Sequence, residues 1–164
     1  MTPEQNSAPV PSHNRPGVFS VHRLFFVWSP EHELGIPIID EQHRGAVSLA
    51  NSLYYHMANP TGKAILFPFM QKFNRYLVLH AVTEEELLAD TGYPDLEAHK
   101  ALHAELQFDL KGAMRRAELS GNYGSVPEEF LANLKKWWME HLNGADRDFV
   151  PYVRHILAQH TKNA

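Results

Sequence analysis

His80 with Glu84, His99 with His103, and His141 with a nearby acidic residue, Asp146 or Asp148, fall on three successive stretches of the chain, and His43 stands alone ahead of them. Imidazole suits first-row transition metals and a carboxylate can bridge two cations, so a histidine-rich core with two carboxylates points to a dinuclear iron centre rather than to magnesium or calcium. Each pair spaced by four projects from one helix face about one turn apart and can reach a shared centre. Glu85 and Glu86 turn away from that face and are expected to be solvated. Asp146 lies five residues after His141, well round an ideal helix from it, whereas Asp148 at seven returns to the same face. A π-bulge or a break at Gly144 would bring Asp146 back. His43 is singled out because it sits within the first turns of its helix, where the other three groups need a fifth nitrogen.

No single pair carries this reading. With 11 histidines and 13 glutamates in 164 residues, composition alone gives on the order of one His-x-x-x-His and one His-x-x-x-Glu by chance. Order and placement carry it. The other histidines, His13, His22, His32, His56, His155 and His160, take surface or cap positions and no role.

Four helices must position these groups. The first is expected from Asp40, as its cap, to about Met57, with Val47, Leu49, Ala50, Leu53 and Tyr54 as its buried stripe. The second covers roughly Lys63 to Ala89, with Pro68 in an early turn or at a kink, and ends before Thr91-Gly92-Tyr93-Pro94. The third runs from Leu96 to Leu119. The fourth starts with Pro127 at its first position, loosens near Asn143-Gly144 or Pro151, and continues to about His160. Short loops between them make the fold all-α, an antiparallel up-down-up-down four-helix bundle. Residues 1–20 read as a flexible, proline-rich tail and residues 21–160 as the bundle, with Val21 to Ile38 an extended arm in which Leu24, Phe26 and Trp28 alternate inward.

Composition excludes other classes. A formal net charge of -4 without long runs of one sign gives no footprint for nucleic acid or an anionic membrane. With Cys 0 there are no disulfides, thiolate nucleophiles or cysteine metal sites, which fits a reducing compartment. Neither a signal pattern nor a membrane-spanning run is visible, and the expected location is the cytoplasm. The sequence has no Glu-x-x-His, which carboxylate-rich di-iron oxidases use on two helices, and no His-Asp dipeptide of the metal phosphohydrolase kind.

The stretches Trp28-Ser-Pro-Glu, Leu34-Gly-Ile-Pro-Ile-Ile-Asp40-Glu-Gln-His43, His80-Ala-Val-Thr-Glu84-Glu, Tyr93-Pro, His99-Lys-Ala-Leu-His103 and Trp137-Trp-Met-Glu-His141-Leu-Asn-Gly-Ala-Asp146 resemble the bacterial hemerythrins over about Phe26 to Val153. The resemblance selects Asp146 over Asp148. It implies two iron ions, one held by His99, His103 and His141 and the other by His43 and His80, bridged by Glu84, Asp146 and an oxo or hydroxo group. Dioxygen then binds at the open position of the second iron, for storage, delivery or sensing. The alternative is a redox enzyme reducing peroxide or nitric oxide at the same irons.

Two positions depart from the family pattern. The residue three before His141 is commonly a medium aliphatic and here is Trp138; the residue after His80 is commonly Phe and here is Ala81. Trp138 is therefore the candidate gate of the oxygen pocket, with packing between helices as the plainer alternative.

Overall fold

The computed structural model describes residues 24–58, 63–120 and 126–162. The tail assigned to residues 1–20 lies outside them, as do His13 and His22. Three helices, α1 (Pro37–Ala58), α2 (Lys63–Thr91) and α3 (Leu96–Ser120), are followed by a fourth rod in three parts. These are α4 (Val126–Trp137), a π segment (Trp138–Ala145) and α5 (Asp146–Lys162), joined through Trp137 and Asp146, both in right-handed helical conformation. No strand occurs among the described residues. α1 packs on α2, α2 on α3, α3 on α4, and α4 closes on α1. Contacts run in opposite order along neighbours, Gln42 with Thr83 and His56 with Phe69 between α1 and α2, Glu105 with Lys136 and Arg116 with Glu129 between α3 and α4, so the bundle is antiparallel, up-down-up-down.

α1 begins three residues earlier than Asp40, at Pro37, whose fixed φ suits the first helical position. Asp40 still serves that end, because its carboxylate accepts the backbone N–H of Leu34 at 2.7 Å and of Gly35 at 3.0 Å. Gly35 is fixed by two constraints. Its φ is +73°, and a Cβ there would lie 2.7 Å from the guanidinium of Arg154, which donates to the Leu34 carbonyl at 2.8 Å. Pro68 and Pro151 both lie inside helices, each removing a backbone donor.

The arm ahead of α1 bends instead of running as a strand. Asn51 Oδ1 accepts the N–H of both Phe25 (2.7 Å) and Phe26 (2.9 Å), and Asn51 Nδ2 donates to the Phe26 carbonyl at 2.9 Å. One side chain satisfying consecutive amides defeats the expected alternation. Phe25, Phe26 and Trp28 are all partly buried, and Leu24 is 61% exposed. Tyr54 also leaves the buried stripe expected of α1; its ring packs against Phe25 at 5.5 Å.

The core is in two parts. A large cluster includes Leu53, Phe73, Leu77, Leu110, Phe130 and Leu134, and a smaller one joins Leu34, Ile39, Leu88, Tyr93, Phe149 and Val153. On every helix the sequence passes from one cluster to the other through buried histidines or carboxylates. No described helix is long and apolar enough to cross a membrane.

Candidate metal centre

The layer between the two clusters contains His43 from α1, His80 and Glu84 from α2, His99 and His103 from α3, His141 from the π segment and Asp146 at the start of α5. All seven side chains are buried. The five Nε2 atoms turn toward two carboxylates. Glu84 Oε2 lies 3.1 Å from His99 Nε2, 3.2 Å from His103, 3.6 Å from His80 and 3.8 Å from His141. Asp146 receives the rest, with Oδ1 at 2.9 Å from His141 and 3.7 Å from His99, and Oδ2 at 3.4 Å from His43. The rings fall into two groups. His99, His103 and His141 have centroids 4.6 to 4.8 Å apart, and His43 pairs with His80 at 4.8 Å.

Helical phase explains how Asp146 joins. Its N–H donates to the carbonyl of His141, five residues back, which is the bond of a π turn. The extra residue per turn returns position i+5 to the face of His141, while Asp148 is left exposed.

Burial sets the protonation of these groups. It pushes His43 and His80 down to about 4, against the raising effect of Glu84. His141 goes the other way: burial alone lowers it, but the charge of Asp146 and the contacts with Asp146 and Glu84 outweigh that and carry it up to about 9. For Glu84, burial opposes ionisation, yet the contacts with His103, His141, His80 and His99 hold it well below the usual carboxylate range. Even so, the protein alone does not satisfy the cluster. The Nε2 atoms of His43, His80, His103 and His141, one oxygen of Glu84 and both oxygens of Asp146 are buried without an aligned hydrogen-bond partner. Buried polar atoms of this kind cost roughly 1–3 kcal/mol each, and converging lone pairs are what a cation completes. Two overlapping sets, His80–Glu84–His103–His141 and Glu84–His99–His141–Asp146, bring one ligand atom per residue within 4.8 Å of one another.

The family model for the hemerythrin HHE cation binding domain matches residues 34–153. The chain belongs to that family. It is 29% identical to a bacteriohemerythrin of Stenotrophomonas maltophilia over 134 residues, which is 81% of this chain and 84% of that protein. A Clostridium acetobutylicum bacteriohemerythrin is also 29% identical, covering 76% of this chain and 98% of its own length. The myohemerythrin of Theromyzon tessulatum is 24% identical, covering 74% and 88%.

Around this hemerythrin centre lie three residues that the spacing of the sequence did not single out. Glu85 is not simply solvated: its Oε1 accepts from His103 Nδ1 at 2.9 Å. Gln42 Oε1 lies 3.2 Å from His80 Nδ1, and its Nε2 donates to Thr83 Oγ1 at 3.0 Å. Trp137 is the third. Its indole stacks on His141 at 5.4 Å and meets His80 at 6.0 Å and His43 at 6.4 Å edge-on. Trp138, the expected gate, is buried against the arm, next to Phe26 (4.9 Å), His32 (5.3 Å) and Trp28 (6.0 Å). Trp137 precedes His141 by four residues, about one helical turn, and so shares its face, while Trp138 is turned toward the arm. The available signal was that four-residue spacing, the same one that pairs His80 with Glu84 and His99 with His103. Ala81, beside His80, is buried.

Proposed function

We propose that this hemerythrin domain holds two iron ions and through them binds dioxygen reversibly, for storage, delivery or sensing. The observation that carries the reading is the convergence of five imidazole Nε2 atoms on two fully buried carboxylates whose oxygens the protein leaves largely unpartnered. The grouping of the rings supports a division of labour in which His99, His103 and His141 hold one ion and His43 and His80 the other. Glu84 and Asp146, whose oxygens lie among both groups of rings, would serve both ions, together with an oxo or hydroxo group. His43 and His80 would give their ion fewer protein donors than the three histidines give the other, which would leave room there for a small molecule. Two ferrous ions there supply the electrons for reversible dioxygen binding.

The protein's own part is to orient, to exclude water and to limit the chemistry. Once metal displaces the proton from His141, five neutral imidazoles against two carboxylates would leave a pair of divalent cations with net positive charge, which would disfavour the higher oxidation states of oxygenation chemistry. Trp137 and Trp28 shield the His43 side, with Trp28 6.5 Å from the His43 ring. Visible spectra of the ferrous protein under oxygen and then under vacuum test the reading. Bands that appear and vanish reversibly support it. Steady turnover of peroxide or nitric oxide with a reductant favours the enzyme, and no band at all leaves a structural metal.

A further inference from the structure

The second ring nitrogens of the ligand histidines are not treated alike. His103 Nδ1 meets a carboxylate, Glu85, at 2.9 Å. His80 Nδ1 meets a neutral amide, Gln42, at the longer distance of 3.2 Å. The Nδ1 atoms of His43 and His141 are buried with no partner among the described residues. Glu85 is therefore the one carboxylate among the described residues placed against the outer nitrogen of a cluster imidazole. It can take that role because it follows Glu84 on α2, and the roughly 100° step per residue turns it from the centre toward α3. Its side chain is 25% exposed while that of His103 is 4% exposed, so the contact lies at the edge of the layer, where the carboxylate is still partly solvated. The nearby ammonium of Lys100 is held by Glu97 at 2.8 Å, and Glu85 is left to the imidazole.

We propose that Glu85 is a positioning residue of the metal centre: by accepting the Nδ1–H of His103 it turns that ring's Nε2 lone pair inward and makes the His99–His103–His141 position the tighter of the two. The inference rests on the two-metal reading above. Its physical basis is that a carboxylate behind a ligating imidazole fixes the tautomer and strengthens the nitrogen as a donor, whereas an amide does the first and little of the second. Orientation and charge can therefore be separated by substitution. Glu85→Gln keeps an acceptor and removes the charge, and Glu85→Ala removes both. Glu86→Ala, one residue on and exposed, is the control.

The test uses the full-length chain loaded with Zn(II), which is diamagnetic. Two quantities are read: the His103 Nδ1–H proton by NMR, and the affinity of each Zn(II) by chelator competition. In the parent the proton is expected far downfield and slow to exchange. It should move upfield in Glu85→Gln and be lost to exchange in Glu85→Ala. One Zn(II) should weaken by about 10- to 100-fold in Glu85→Ala, and by less in Glu85→Gln, while the other keeps its affinity. Glu86→Ala should match the parent in both readouts. A slowly exchanging proton in Glu85→Ala, or unchanged affinities for both ions, overturns the proposal. If the alanine variant does not fold, a parental proton shift in Glu85→Gln overturns it equally. Failure of the two-metal reading looks different: the parent itself takes up fewer than two Zn(II) ions, and the His103 proton alone then decides the part of Glu85.

Discussion

His43, His80 and His141 share one buried cluster, yet their protons respond to it in opposite senses, and this gives the metal-free chain a distinctive pH dependence. The folded state keeps His43 and His80 neutral down to about 4, while the unfolded chain protonates them near 6.5. Between those values the unfolded state binds more protons, so acidification from 6.5 toward 4 destabilises the fold. His141 is raised to about 9, so its contribution is complete below 6.5 and is lost as the pH climbs toward 9. Glu84, held low, adds to the acid-side loss only below its ordinary value of 4.5. Urea midpoints of the metal-free chain should therefore peak near pH 6.5 and fall on both sides; a midpoint that rises steadily from pH 4 to 9 contradicts this balance. A second residue-scale test concerns the fourth helix. Asp146→Ala should reduce bound iron from about two per chain to one or none, since it removes a donor shared by both positions, whereas Asp148→Ala, an exposed change, should leave iron content intact. The reverse pattern means that the carboxylate has been misassigned. That these seven side chains would gather in one place was legible from their types and order, and all seven are buried in one layer. Glu85 and Gln42 were not, because each meets a ring nitrogen on a different helix, and no spacing within one helix encodes that contact.

The elements most exposed to test are the arm and the π segment that it covers. Trp138 is where they meet, through Phe26, His32 and Trp28, and Trp28 in turn lies beside His43. Trp138→Leu should cost about 2–4 kcal/mol as a large-to-small core change, and the loosened arm should admit water and speed autoxidation of the ferrous iron-loaded protein. Asn51→Ala, which frees the arm from α1 at three hydrogen bonds, should speed it in the same direction without touching the indole. Lower stability with parental autoxidation in both variants would reduce Trp138 to an anchor and end its candidacy as a gate. A further contact fixes how closely α1 and α2 approach. A Cβ on Gly45 would lie 2.1 Å from the Tyr76 hydroxyl, which donates to the Gln42 carbonyl at 2.9 Å. Gly→Ala within a helix normally gains about 1 kcal/mol, but displacing this ring costs roughly 1–3 kcal/mol. Gly45→Ala should therefore be destabilising by thermal melt, and a stabilised variant would show that Tyr76 moves aside freely. Helix number, order and ends were readable from punctuation to within three residues, even at Pro37, where a residue that usually breaks helices begins one. The arm's bend was not readable, since it depends on Asn51, 25 residues away from Phe26. The placing of Trp137 rather than Trp138 against His141 was within reach of the sequence, since Trp137 stands four residues before that histidine and Trp138 three.

At the scale of the whole molecule, the polar layer divides the bundle into unequal ends. The larger core draws on the later part of α1, the earlier part of α2, the later part of α3 and α4, and contains Leu53, Phe73, Leu110, Phe130 and Leu134. The smaller one, built from Leu34, Ile39, Leu88, Tyr93, Phe149 and Val153, is set apart from it by a layer that contains seven buried histidine and carboxylate side chains. With metal bound, coordination would cross-link those side chains, and the two ends should then fold as one unit. Without it, unpartnered nitrogens and carboxylate oxygens separate them, and each unsatisfied atom opposes burial of the layer by roughly 1–3 kcal/mol. The small core buries fewer apolar side chains than the large one, so local opening should begin there rather than spread evenly. Ligation that favours the native state should raise global stability as well, by about 4 kcal/mol at a free metal concentration a thousand times Kd. Hydrogen exchange on iron-loaded and chelator-stripped protein distinguishes the two effects. Stripping should abolish most protection in 36–40, 87–93, 96–99 and 149–153 while the amides around Phe73, Leu110 and Phe130 slow exchange far better than any of these. Protection lost in equal proportion along all four helices would mean that the metal stabilises a single cooperative core, and that the layer is not the seam along which this bundle opens.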